Sequence, residues 1–261
     1  MAATLWTGAI SFGLVTVPVK MTGATVNRDI SFNQLEATTG SRVRMRRVSE
    51  ATGEELATDQ IVKGYEIAKG QYVVIEPSEL EAIRPASTDT IEIERFVPID
   101  EIDPIYFEHP YYLVPDKQGV KAYRLLVAAM EGLDKAAIGK VVIRQKESLV
   151  AIRVRDGVLC VEMLRWADEL VDPANLGVPN EGELSDKELT MARQLVEAMS
   201  GEFEPDEWHN TYREQVLAMI ERKAAGQEIV AQAAAAPAAK VLDLMAALEA
   251  SIAKADQAKS A

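Results

Sequence analysis

The sequence holds one cysteine, Cys160, and two histidines, His109 and His209. A single cysteine excludes an internal disulfide framework and fits a reducing compartment, so the chain is expected to be cytoplasmic. A zinc site draws on about four nitrogen or sulfur ligands, which this set does not readily supply, and no metal or other cofactor is expected. No apolar run approaches the ~18 residues of a membrane span. The opening Met-Ala-Ala-Thr-Leu-Trp has no basic stretch leading into an apolar one, so no secretory signal is expected. There is no glycine-rich loop ending in Lys-Ser or Lys-Thr, and no Gly-x-Ser-x-Gly elbow. Asp100, Glu101 and Asp103 read as a proline-bounded loop, and neither histidine has an identifiable catalytic partner. An enzyme is not expected.

What is present is an ordinary globular composition, 48% apolar and 26% charged, in 261 residues with a formal net charge of −13. That length suits one large domain, or one domain plus an arm. The acid excess argues against a protein that coats DNA with its whole surface, because long-range repulsion slows the approach. It still allows basic residues gathered on one enclosed or concave surface. Against this background Arg42-Val43-Arg44-Met45-Arg46-Arg47 is conspicuous. Read as a strand, it puts Arg42, Arg44 and Arg46 on one face, roughly 6–7 Å apart. Such a row suits duplex phosphates, which the planar guanidinium fork binds well. A solvated edge strand that uses charge to block aggregation is the plain alternative.

To about residue 165 the pattern is mainly β. Strands are expected at 14–19, 71–75, 91–97, 110–115 and 158–164, with proline and glycine between them. A short helix follows Pro77, capped by Ser78 with Glu81 as its partner, and residues 117–132 show helical apolar spacing. Many short strands with this punctuation favour a barrel or sandwich. Val141–Glu147 and Leu149–Arg155 read as a hairpin. With Ser148 and Leu149 as its loop, Arg144 faces Arg153, and one face carries Val142, Arg144, Lys146, Arg153 and Arg155. Like charges across a hairpin repel, so this face either awaits an anion or is simply solvated. Beyond about 185 the pattern is helical. Ser185 and Glu188 form a capping box ahead of Leu189, Ala192, Leu195, Val196 and Met199, and a second helix covers about 205–224.

These motifs resemble the Ku family of bacterial and phage DNA-end-binding proteins. The resemblance is carried by Leu5-Trp6-Thr7-Gly8-Ala9-Ile10-Ser11-Phe12-Gly13-Leu14-Val15 and Val17-Pro18-Val19-Lys20. Ile91–Val97 with Asp103-Pro104, Pro110-Tyr111-Tyr112-Leu113 and Arg144–Arg155 carry it further. So do Leu164-Arg165-Trp166-Ala167-Asp168-Glu169 and Phe203-Glu204-Pro205 through Tyr212. The similarity implies an α+β, mainly β fold: a Ku-type β-barrel core over 1–184 and a helical dimerisation arm over 185–230. A bridging arm at about 32–65 would close a homodimeric ring around duplex DNA. The implied partners are double-stranded DNA ends, bound without sequence preference, and a second copy of the chain. The lumen would hold Arg42, Arg44, Arg46, Arg47, Lys63, Arg144, Lys146, Arg153 and Arg155, and the protein would be nucleoid-associated. Several relatives carry a Cys-x-x-Cys pair where this chain has Ser49 and Thr52, which removes a metal role.

Residues 231–239, alanine-rich with Pro237, read as a linker. In the tail at 240–261, Val241, Leu244, Met245, Leu248 and Ile252 fall on one helical face. Such a stripe either docks into a partner's groove or packs back on its own core. In the family it is similar to the segment that engages a repair ligase, of the ligase D type or a host equivalent. The expected function is therefore non-enzymatic binding of DNA ends in non-homologous end joining. A protein-interaction scaffold that keeps the fold without binding DNA is the alternative. A single-strand-binding barrel is weaker, because the arginine row has no stacking aromatics.

Overall fold

In a computed structural model the described residues are 3–83, 89–143, 146–179, 182, 184–226 and 244–259. They form two compact units, Met1–Pro173 and Ala174–Ala261.

The first unit is built on β1 (Thr4–Phe12) and β2 (Val15–Gly23), a tight antiparallel pair. A long excursion then carries β3 (Lys63–Ala68), β4 (Gln71–Ile75) and the short helix α1 (Pro77–Ala82). The chain returns as β5 (Thr90–Pro98), β6 (Phe107–Pro115), helix α2 (Val120–Leu133), β7 (Lys135–Ile143), β8 (Lys146–Arg155) and β9 (Val158–Leu164). Seven of these strands close a barrel in the order β1-β2-β6-β9-β8-β7-β5. The closing pair, β1 with β5, is parallel, and every other pair is antiparallel. Closure removes the unpaired edges that an open sheet of this size would expose.

The barrel fills with alternate residues of its strands. Ile10, Val17, Val19, Met21, Ile91, Leu113, Val141, Val150, Ile152, Leu159 and Val161 are all buried. Helix α2 adds Tyr123, Leu126, Val127 and Met130 to the same core. The Tyr123 hydroxyl donates to the Leu113 carbonyl (2.7 Å) and accepts from the Leu159 amide (2.8 Å). Leu113 and Leu159 face each other across β6 and β9, so one hydroxyl serves both strands.

The hairpin differs from its sequence reading. β7 runs to Ile143 and β8 starts at Lys146, with Ile143 opposite Lys146, so the connection falls at 144–145 instead of 148–149. Ser148 and Leu149 are strand residues. Leu149 pairs with Lys140 on one side and Leu164 on the other, and the alternation of Val150, Ile152 and Val154 extends back through Ser148. α1 also differs. Its N-cap is Glu76, whose amide donates to the Glu79 carboxylate at 2.8 Å. Pro77, with φ already set for a first helical position, starts the helix earlier than Ser78 would.

The second unit contains α3 (Asp186–Met199), α4 (Thr211–Ala224) and α5 (Leu244–Lys259). α3 has the expected capping box, with the Ser185 amide donating to the Glu188 carboxylate (2.8 Å) and the Glu188 amide to Ser185 Oγ (3.2 Å). The expected helix from 205 is a 3-10 turn, Pro205–Glu207, and α4 begins six residues later, at Thr211 behind an Asn210 cap. α5 lies against α3. No described helix is long and apolar enough to cross a membrane.

Candidate nucleic-acid interface

Between β2 and β3 the chain makes two turns of the same design. In the first, the Gly40 amide donates to the Glu36 carbonyl (2.9 Å), Glu36 to Ser41 (2.8 Å) and Val43 to Gln34 (3.0 Å). In the second, Gly53 donates to Ser49 (2.8 Å), Ser49 to Glu54 (2.9 Å) and Leu56 to Arg47 (2.8 Å). Gly40 and Gly53 sit at φ +69° and +73°, left-handed positions that close each knuckle. In the second, the Thr52 amide donates to Ser49 Oγ (3.4 Å) and the Glu54 amide to Thr52 Oγ1 (3.3 Å). The hydroxyls of Ser49 and Thr52 thus act as turn acceptors.

The arginine run links the two knuckles. It is not a ladder strand: Arg42 bridges Leu35, Val48 bridges Glu55, and the residues between them are unpaired with other strands. The physical reason is that the two turns use up the local backbone pairing, and no neighbouring strand lies beside the linking segment. All four arginines are exposed. Arg42 Nη2 donates to Asn33 Oδ1 (2.7 Å) and Arg46 Nη1 to Glu55 Oε2 (2.7 Å), so each lies across its own knuckle. The side chains of Arg44 and Arg47 make no hydrogen bond or ion pair among the described residues. An exposed pair such as Arg46–Glu55 contributes about 0–1 kcal/mol, so it holds the guanidinium only weakly. Lys63 opens β3 and is exposed.

The barrel cations are not gathered in the same way. Arg155 is exposed, 3.6 Å from Asp156. Arg153 donates through Nε (2.9 Å) and Nη2 (2.6 Å) to Glu162 Oε1 on β9 and is only partly exposed. Lys146 belongs to β8, so its register position is that of Val150, Ile152 and Val154, on the opposite side of the sheet from Arg153 and Arg155. It lines a cavity of about 370 Å³ at one end of the barrel, with Trp6, Met21, Ile143 and Met163. The single cationic face read from the sequence is therefore split. The turn moves by an even number of residues, which leaves Arg153 and Arg155 on the face of Val142 but transfers Lys146 from the first strand to the second, where its face is reversed. Arg144 and Val241 lie outside the described residues. In the tail, Met245, Leu248 and Ile252 are half-buried on α5, and Leu244 opens that helix. No three His, Cys, Asp or Glu side chains gather as a metal site among the described residues.

The sequence reading passed over three further cations, Lys117, Lys121 and Arg124, which line one recess beside α2. Their i, i+4, i+7 spacing within the expected 117–132 helix was the available signal.

Comparison with known proteins fits this architecture. Residues 11–191 match the family model described as the Ku70/Ku80 beta-barrel domain. The chain belongs to the Ku family. It is 45% identical, over 98% of its length and 86% of the relative's, to a protein of Anaeromyxobacter sp. (strain K) named "Non-homologous end joining protein Ku". A protein of the same name from Archaeoglobus fulgidus is 41% identical over 94% of this chain and 98% of its own. One from Symbiobacterium thermophilum is 43% identical over 98% of this chain and 64% of its own. The Ku barrel is thus the seven-stranded closure described above.

Proposed function

We propose that this Ku-family chain binds double-stranded DNA ends without sequence preference, as a homodimeric ring, in non-homologous end joining, and that it does so without catalysis. The observation that carries this reading is the Arg42–Arg47 run. It is wholly exposed and strung between two knuckles, in a chain of net charge −13. Arginines fixed on an arm contact phosphates, which position a protein on a duplex without specifying bases. Exposed apolar residues support dimerisation. Val43, Met45, Tyr65, Ile67 and Tyr72 of the arm have little cover, and neither do Val196, Met199, Phe203 and Trp208 of the second unit. A two-stranded β3–β4 ribbon is marginal by itself, and exposed apolar surface on this scale marks an interface.

On this reading residues 1–184 form the DNA-binding core and 185–230 the dimerisation arm. Residues 231–239 tether a ligase-recruiting tail, 240–261, and the protein is cytoplasmic and associated with the nucleoid. α5 rests against α3, so the ligase meets either the free side of α5 or a helix that has left α3. A filter-binding comparison of linear duplex with relaxed closed circles of the same sequence tests the ring. Tight binding to linear DNA alone is expected, and equal binding to circles would sink the idea.

A further inference from the structure

The recess beside α2 measures about 620 Å³ and is lined by Lys117, Gln118, Val120, Lys121, Arg124 and Leu125. Unlike Arg46, Lys140, Arg153 and Arg155, each within 4 Å of a carboxylate, these three cations have no ion pair or side-chain hydrogen bond among the described residues. The nearest acid in sequence, Asp116, turns Oδ1 to the Lys117 backbone amide at 2.8 Å. In a protein with this acid excess, three uncompensated cations on one recess, Lys117 from the turn before α2 and Lys121 and Arg124 from the helix, form a local concentration of positive charge.

Their placement also opposes helix stability. Within α2, Lys121 and Arg124 are i, i+3 neighbours, where like charges repel by ~0.2–0.5 kcal/mol per pair, and Lys117 lies in the turn just ahead of the Gly119 cap. They crowd the start of α2, the end of a helix that favours negative charge. α3 and α4 obey that rule, with Asp186 and Glu188 in the first turn of α3, and with Glu214 at the start and Arg222 and Lys223 at the end of α4. α2 has no acid in its first turn and no base in its last. The opposite side of α2, through Tyr123, Leu126, Val127 and Met130, already anchors the helix in the core, so the cations add nothing to packing.

We propose that this recess is a second anion site, separate from the arm, that binds phosphate groups. Arg124 offers a planar fork and the two lysines compact charges, the donor set that phosphate oxygens favour. The phosphates come either from the backbone of bound duplex or from a free polyphosphate. The test uses the full chain and inorganic tripolyphosphate as the probe, followed by calorimetry at low salt. The triple variant Lys117→Gln/Lys121→Gln/Arg124→Gln is expected to weaken tripolyphosphate at least ~10-fold, the scale of losing three charge-assisted contacts. An Arg42→Ala/Arg44→Ala/Arg46→Ala variant should keep the affinity of the unaltered chain. Thermal melting of the α2 variant should be unchanged or raised, since repulsion is relieved. Salt titration of linear-duplex binding then names the source. A slope lowered by up to about 2.7 per chain assigns the site to DNA phosphates, and an unchanged slope assigns it to free polyphosphate. The site is overturned if tripolyphosphate fails to bind the unaltered chain, or if it binds the α2 variant equally well. Because this readout needs no DNA, it stands or falls independently of the end-binding reading.

Discussion

At the scale of single residues, the barrel's outer face turns on Glu162. Its side chain is 7% exposed, and its Oε1 receives two hydrogen bonds from Arg153 and a third contact from the Cys160 thiol at 3.5 Å. Removing one partner of such a pair leaves a charge stranded in low dielectric. Arg153→Ala is therefore expected to lower stability by ~3–5 kcal/mol in urea unfolding. A drop below ~1 kcal/mol, the value of a surface pair, would refute the buried-pair account. Loss of DNA binding in that variant would then report damage to the barrel before any lost phosphate contact. Cys160 carries the complementary effect. Burial first, and then the Glu162 charge, push its thiol from 9.0 up to about 11. Because the folded thiol holds its proton more tightly than the unfolded one, its contribution is complete below about pH 9 and is lost as pH rises to about 11. Unfolding measured across that window should show the unaltered chain losing stability relative to Cys160→Ala. A constant difference between the two would mean that the thiol is not shielded.

At the scale of elements, the arm concentrates the testable chemistry. Replacing Arg42, Arg44 and Arg46 by Ala should weaken duplex binding across all sequences. It should also flatten the salt dependence, by roughly 0.9 in slope for each lost phosphate contact and up to about five for a dimer. These side chains are exposed, so the fold should change by no more than ~0.5 kcal/mol each. A folded variant with an unaltered slope would leave the scaffold reading in front. What the sequence made legible follows from periodicity and capping. Period-two apolar residues located β4, β5, β6 and β9 to within a few residues, and Ser185 with Glu188 marked the start of α3. The knuckles were invisible because Glu36–Gly40 and Ser49–Gly53 have no periodic apolar signal, only two glycines in the left-handed region. β3 was missed because Lys63, Gly64, Glu66 and Ala68 dilute its apolar residues. The β7–β8 turn was misplaced because Ser148 looks like a turn residue, while its pairing with Val141 on the adjacent strand depends on a hairpin register that apolar alternation alone does not fix. That one error carried Lys146 to the wrong side of the sheet.

At the scale of the whole molecule, the proposed homodimer would cover the apolar surface left on α3, α4 and the loop between them. A chain cut after residue 184 is expected to run as a monomer or to precipitate, because a dimer of this kind needs an apolar interface above ~2,000 Å². Light scattering that showed a well-behaved dimer of 1–184 would place the interface elsewhere. Both roots of the arm lie beside β1. β2 hands the chain over where Thr22 faces Thr4, and β5 takes it back where Thr90 faces Ala9. Tension on the arm, as when a duplex is drawn through an enclosing loop, therefore reaches the barrel on both flanks of one strand. On one flank β2 grips β1 along nearly its whole length, but on the other β5 holds only Ala9 to Ser11. The β1–β5 seam has the fewest paired residues in the barrel and is expected to open first under load, starting at the Ala9 amide to Asp89 carbonyl bond of 2.9 Å.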